Sequence, residues 1–300
     1  DINWPDVERV EGQHDWASVD RVVDFAASRD LRIFGTIAAA PRDASKYVAF
    51  VKEVARRYRG RIQALGIWNE PNLEQFWKGA KKANLDEILL PGLCAIKQEA
   101  PEILRCGPDL SSSGDYRKDW LEPILRAAGS EFDVITHHQY DGKDTVAGRV
   151  KELDSLRSYL QKAGYGEKPF WLTEIGWQVG KKVTADAQAK NLRGILEAML
   201  TRPWWNKTFW YDSHGAGWGL LGSDGAAEEG QPTPSFLAYR DVIQAATATA
   251  AAGAAAATEA PEQKKQQGAP AKPGFVDSVG SSADAAGKKP AAATPGAKAP

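Results

Sequence analysis

Leu65-Gly66-Ile67-Trp68-Asn69-Glu70-Pro71-Asn72 and Phe170-Trp171-Leu172-Thr173-Glu174-Ile175-Gly176-Trp177 are two short apolar, β-prone runs. Each stops at a glutamate and passes into turn-forming residues. A strand of a parallel β/α barrel delivers a side chain to its C-terminal face in this way. The fold follows from asking whether the rest of the chain supplies the other strands.

Around these runs, strand-like and helix-like patterns alternate. Asp1-Ile2-Asn3-Trp4-Pro5 reads as a strand stub and its turn, and Asp15 caps a helix over about residues 16–28. That helix is expected to turn Val19, Val22, Val23, Phe25 and Ala26 inward. Strands follow at about residues 31–37, 62–68, 103–107, 132–137, 169–173 and 208–211. Helices are predicted between them over about 45–58, 85–99, 116–128, 146–163 and 185–200, and a last one over 234–244, with Pro234 at its first turn. Gly107-Pro108-Asp109 reads as turn chemistry, with catalysis as the lesser alternative. Near-continuous apolar strands alternating with helices indicate an α/β fold of parallel units, a (β/α)8 TIM barrel in kind. The pattern yields seven strands, the first a stub, where a closed barrel has eight.

The chain has 300 residues, of which 43% are hydrophobic and 26% charged, but the average conceals a break. Residues 1–245 are rich in Trp, Leu, Ile and Val and form the expected barrel domain. Residues 246–300 are an Ala/Pro/Gly/Lys mixture with Phe275 as the sole aromatic. Such a stretch buries too little apolar surface to offset the entropy of ordering, so it is expected to be a disordered tail or linker. Only the alanine-rich part near Ala250 has helix propensity. A net charge of −1 without a basic run in the first domain argues against nucleic acid as the main partner. No stretch approaches the ~20 apolar residues of a membrane span. Cys94 and Cys106 read as buried, unpaired thiols, and no Cys/His cluster has the spacing of a metal site.

Glu70 and Glu174 end different strands, and in a parallel barrel all such ends share one face. Two carboxyl groups converging there are the equipment for cutting a glycosidic bond: one protonates the leaving oxygen while the other attacks or activates water. The two roles need different proton affinities.

Trp68-Asn69-Glu70-Pro71-Asn72 together with Leu172-Thr173-Glu174-Ile175-Gly176-Trp177 resembles the clan of retaining glycoside hydrolases built on (β/α)8 barrels, its family 39-like and family 5-like members above all. The resemblance spans about residues 1–244. It implies that Glu70 is the acid/base, that Glu174 is the nucleophile, and that Asn69 hydrogen-bonds the sugar 2-hydroxyl. His138-Gln139-Tyr140 matches the clan's His-x-Tyr, which implies that Tyr140 holds the nucleophile and His138 contacts substrate. Trp210 matches the strand-eight tryptophan that floors the cleavage subsite. Gly217-Trp218-Gly219-Leu220-Leu221-Gly222-Ser223-Asp224-Gly225 resembles the turn after that strand. His137 is expected to point into the barrel or its wall. Trp77, Trp177, Trp204, Trp205 and Trp218 suit sugar stacking and ordinary packing equally.

The resemblance further implies an oligosaccharide or polysaccharide with β-linkages as substrate, no cofactor, and a secreted or periplasmic location. In the clan the stretch ending Ile-Asn-Trp closes strand two. The expectation is therefore a barrel lacking its first β/α unit, with open strand edges. A transglycosylase on the same site, a non-catalytic glycan-binding barrel and an inactive fragment remain beside hydrolysis as alternatives.

Overall fold

A computed structural model of the chain describes residues 1–38, 43–140, 144–222 and 230–259. Seven parallel strands pair in sequence order: β1 (Ile2–Asn3), β2 (Phe34–Ala38), β3 (Ala64–Ile67), β4 (Leu104–Ser111), β5 (Val134–His138), β6 (Phe170–Ile175) and β7 (Trp205–Trp210). The registers are Ile37 opposite Ile67, Gly66 opposite Cys106, Cys106 opposite Val134, and Leu172 opposite Thr208. A flat sheet would hold β2 and β7 roughly 24 Å apart at the usual strand spacing. Instead the Phe34 ring lies 5.6 Å from Phe209 and 5.9 Å from Trp171, centroid to centroid. The sheet is therefore rolled into a partial (β/α)8 barrel, with β1 and β7 as its edge strands among the described residues.

Strand alternation sorts the side chains. Ala64, Cys106, Val134 and Trp171 face inward with Phe34 and Phe209. Leu65, Ile67, Ile135, Phe170, Leu172 and Ile175 face outward onto the helices, where Val51, Val54, Leu93, Ile96, Leu153, Leu156 and Ile195 meet them. The helices start where an oxygen accepts their unpaired N–H groups. Asp43 accepts from Ser45 and Lys46 before Ala44–Arg57, Thr145 accepts from Gly148 before Val146–Lys162, and Thr184 accepts from Ala187 before Ala185–Leu200.

Four expectations are corrected. The helix Ala17–Ala27 buries Val23 and Ala26, while Val22 and Phe25 remain 62% and 54% exposed. Val19, Val23 and Ala26 form the single stripe that reaches the sheet. Phe25 belongs to the next stripe, under the Arg29 guanidinium. Cys94 is exposed on the helix Leu90–Glu99, whereas Cys106 is buried inside the barrel, and both are free thiols. β4 does not end at Gly107 but continues through Pro108 and Asp109 to Ser111, with a register shift between Gly107 and Leu110. The closing helix runs Pro234–Glu259, well past residue 244, because alanine carries the least cost in a helix. Residues 246–259 of the expected disordered tail are thus helical, and residues 260–300 lie outside the described residues.

The chain divides into two units, Asp1–Gly253, which holds the sheet and its helices, and Ala254–Pro300, whose described part is helical backbone. Among the described residues no helix is long and apolar enough to cross a membrane.

β4 is held tightly at Gly107. A Cβ there would stand 2.5 Å from the Phe132 ring, which is fully buried and has nowhere to retreat. Gly107→Ala is expected to cost about 1–3 kcal/mol through overpacking, read as a lower urea midpoint at unchanged slope.

Candidate active site

The C-terminal ends of β3, β4, β5 and β6 converge. Past Ile67 the backbone turns sharply through left-handed conformations at Trp68 (φ 68°) and Glu70 (φ 41°). Non-glycine residues adopt these only when their surroundings hold them there, and such residues cluster at functional sites. Here the Glu70 amide donates to the Asp109 carbonyl at 3.1 Å. Asn72 completes the clamp, donating to the Ser111 carbonyl at 2.9 Å and accepting from the Ser111 amide at 3.0 Å.

Glu70 is thereby aimed inward and is 6% exposed. Its Oε1 lies 2.9 Å from His138 Nδ1 at the end of β5. The same nitrogen is 3.6 Å from Glu174 Oε2, and His138 Nε2 is 3.5 Å from Asp109 Oδ1. Tyr140 donates its hydroxyl to Glu174 Oε2 at 2.9 Å. One oxygen of Glu70, one oxygen of Glu174 and a ring nitrogen of His138 all lie within 4.8 Å of one another. Glu70, Glu174, His138 and Tyr140, singled out from the sequence, are thus brought together, and half-buried Asn69 stands beside Glu70.

Electrostatics follow from this crowding. Burial pulls the His138 imidazole down, but the Asp109 and Glu70 carboxyls and the Glu174 charge outweigh it and push it up to about 10. Burial raises Glu174 above an ordinary glutamate, opposed by the His138 cation and reinforced by the Glu70 charge. Burial, with the Glu174 carboxylate, also raises the Tyr140 hydroxyl, so it remains a donor. His137 is the opposite case: burial and the neighbouring His138 charge push it down to about 3. Its ring stacks on Tyr116 with centroids 5.0 Å apart. Glu70, His138 and Glu174 could in principle offer one ligand atom each to a cation. His138 can serve as such a ligand only as the neutral ring, because the imidazolium has no lone pair to give.

Trp210 is not at this site. Phe209 takes the inward position on β7, so Trp210 points outward. It stacks on Trp177 (6.1 Å, 26°) and donates its Nε1–H to the Trp218 carbonyl at 3.1 Å. The aromatic side of the site is instead formed by Tyr211 and Trp218. Trp218 meets Tyr140 at 6.0 Å and Tyr211 at 5.6 Å, edge to face. Tyr211 also feels the Glu174 and Glu70 charges.

Two further residues escaped the sequence reading. Gly107-Pro108-Asp109 reads first as a turn and only secondarily as catalytic, yet Asp109 is fully buried within β4. Arg149, on the helix Val146–Lys162, is 4% exposed; it donates to the Gly176 carbonyl at 2.7 Å and covers the Trp177 ring at 3.8 Å. No motif surrounds Arg149. The only signal was a basic residue on the apolar side of its helix.

This mouth of acidic groups on a partial barrel agrees with the comparisons. The sequence model of the glycosyl hydrolase catalytic core matches residues 42–239. The chain belongs to that family. It is 28% identical over 160 residues to a β-xylosidase of Geobacillus stearothermophilus, covering 45% of this chain and 31% of the relative. It thus spans about a third of that curated relative's length. A monomeric β-xylosidase from Caulobacter crescentus matches 77% of this chain and 57% of its own, with a TM-score of 0.58 at 17% identity. An endoxylanase retrieved from sugarcane soil metagenome matches 80% and 86%, with a TM-score of 0.60 at 16% identity. These two structural likenesses establish the shared fold.

The raised Glu174 carboxyl has a consequence for stability. A carboxyl that binds its proton more tightly when folded favours the fold below its unfolded value, and that contribution is lost as pH rises through the folded value. At neutral pH the ionised Glu174 therefore weighs against folding. Glu174→Gln is expected to have a higher urea midpoint than the parent at pH 7. The gap should close as pH falls below the ordinary glutamate range.

Proposed function

We propose that this chain is the core of a retaining glycosidase acting on β-linked glycans, with β-xylosides and β-linked xylo-oligosaccharides the first substrates to test. The observation that carries this reading is the approach of Glu70 and Glu174 to within 4.8 Å, oxygen to oxygen, from different strands of one mouth. Retention calls for carboxyl groups about 5–5.5 Å apart, whereas inversion needs about 6.5–9.5 Å to admit a water. The spacing supports a direct attack on the sugar.

In the first step Glu174 attacks the anomeric carbon while Glu70 gives its proton to the departing oxygen, leaving a glycosyl ester on Glu174. In the second, Glu70 takes a proton from water, whose oxygen displaces Glu174 and restores both carboxyls. Glu174 suits the attacking role because it is the more exposed of the pair, with 25% of its side chain accessible against 8% for Glu70. Tyr140 also donates to it and steadies its ionised form. Glu70 is held from behind by His138, which leaves its second oxygen for the leaving group. Asn69 is assigned to the sugar 2-hydroxyl. The β-xylosidases and the endoxylanase among the relatives support the choice of xylose-based substrates. A secreted or periplasmic location belongs to the same reading.

Since Glu174 must be ionised to attack and burial raises it, the acid limb of kcat/KM is expected above the ordinary glutamate value near 4.3. Glu70→Gln and Glu174→Gln should each lower kcat on aryl β-xylosides by about 10²–10⁴-fold or more with the fold retained by circular dichroism. The Glu70 variant should recover most of its rate on a dinitrophenyl glycoside, whose leaving group needs little protonation. A 2-deoxy-2-fluoro glycoside should label Glu174 in the parent, detected by peptide mass. Full activity in Glu174→Gln would remove the assignment. Added acceptor sugars in the product assay separate hydrolysis from transglycosylation.

A further inference from the structure

Asp109 touches more of the mouth than any single role in packing requires. Its amide donates to Thr136 Oγ1 on β5 at 3.1 Å, and its carbonyl accepts from the Glu70 amide beyond β3. Its Oδ1 accepts a 2.6 Å hydrogen bond from Thr173 Oγ1 on β6 and faces His138 Nε2 at 3.5 Å. Its Oδ2 is buried without a hydrogen-bond partner, above Gly66, where a Cβ would approach it to 2.8 Å. The Asp109 backbone itself is left-handed, at φ 47°. A fully buried carboxylate with one bare oxygen is costly unless a cation answers it.

The cation its surroundings offer is His138. That ring has a carboxyl group at each nitrogen, Glu70 at Nδ1 and Asp109 at Nε2. A neutral imidazole donates from one nitrogen only, whereas the imidazolium donates from both. We infer that Asp109 is a positioning residue that holds His138 as a doubly protonated ring, so that its Nδ1–H fixes the carboxyl of Glu70 for acid/base work.

The consequence for catalysis rests on the glycosidase reading above, but the pairing itself does not. The titratable groups facing His138 are Glu70 from the turn after β3, Asp109 from β4, His137 and Tyr140 from β5 and its continuation, and Glu174 from β6. His137 remains neutral at ordinary pH and Tyr140 keeps its proton, so the three carboxyl groups set the ring's charge. Asp109→Asn keeps the shape and the acceptor for Thr173 but removes one negative charge. The second proton of the His138 ring is then held less tightly.

The test is nitrogen-detected NMR of the four histidines, with His138 assigned by its disappearance in His138→Asn. In the parent protein at pH 7.5 both ring nitrogens of His138 should carry protons. In Asp109→Asn the ring should lose its second proton at a pH lower by about one unit or more. The alkaline limb of kcat/KM should move in the same direction. The rate loss should be greater on glycosides with poor leaving groups than on the dinitrophenyl glycoside, a split that mere loosening of β4 would not produce. A neutral His138 ring in the parent at pH 7.5 would overturn the inference, and that measurement stands even if Asp109→Asn fails to fold. An unchanged His138 titration in a folded Asp109→Asn protein would overturn it equally. A parent chain that cleaves no glycoside, yet shows both ring protons and the acidward shift, would remove the catalytic reading and leave the Asp109–His138 pairing intact.

Discussion

Charge is costly once water is excluded, and the mouth of this sheet gathers three carboxyl groups, from the turn after β3, from β4 and from β6. The arrangement persists because one ring, His138, lies within 3.6 Å of all three. Its charge is itself a product of the crowding, since burial alone would strip the proton away. The site is therefore mutually dependent. On the pairing inferred above, the carboxyl groups keep the ring protonated, and the protonated ring makes their convergence tolerable.

That local bargain rests on backbone held by its surroundings. Trp68, Glu70 and Asp109 all lie in left-handed conformations at the site. None is a glycine, so each conformation costs energy that neighbouring contacts must offset. The Asn72–Ser111 pair and the bond from Glu70 to the Asp109 carbonyl supply those contacts on one side. On the other, Arg149 ties the helix Val146–Lys162 to the Gly176 carbonyl just past Glu174. The rolled sheet underneath, closed over Phe34, Trp171 and Phe209, makes the strand ends rigid enough for these bonds to hold.

Much of this was legible in the residues. Both glutamate strands and the order of β/α units stand out because their signals are local: apolar runs, turn residues, caps; the His138-Gln139-Tyr140 stretch stands out only through the family resemblance. Asp109 does not, because Gly107-Pro108-Asp109 is strong turn chemistry by short-range rules, and it lies within a strand only because Gly107 and Leu110 on either side of it pair with β5. Cys94 was misjudged because one apolar position among several on a helix cannot be oriented without knowing what it faces. Val22 and Phe25 failed similarly: five apolar residues were available for a stripe that accommodates fewer. The alanine run after residue 245 carried two opposed signals, low burial capacity and high helix propensity, and through Glu259 the second prevailed.

Trp210 shows where resemblance between sequences runs short. A motif transfers residue types, but a strand assigns faces by parity, and a shift of one residue exchanges inside for outside. On β7 the inward place belongs to Phe209, whose contacts with Phe34 and Trp171 fill the barrel, and this sends Trp210 to the helices and the cluster of Leu192, Leu196, Ala238 and Val242. The side of the site beyond Glu174 is then left to Tyr211, one residue further along, and to Trp218, which reaches back from the following turn to meet Tyr140. Both hang from a loop rather than a strand, so their placement depends on the Gly176 backbone lying close beneath them: a Cβ there would come within 2.4 Å of the Tyr211 carbonyl and 3.0 Å of the Trp218 ring. The glycine of the Glu174-Ile175-Gly176-Trp177 run thus has a function of its own, allowing the aromatic wall to close against the strand that carries the nucleophile candidate.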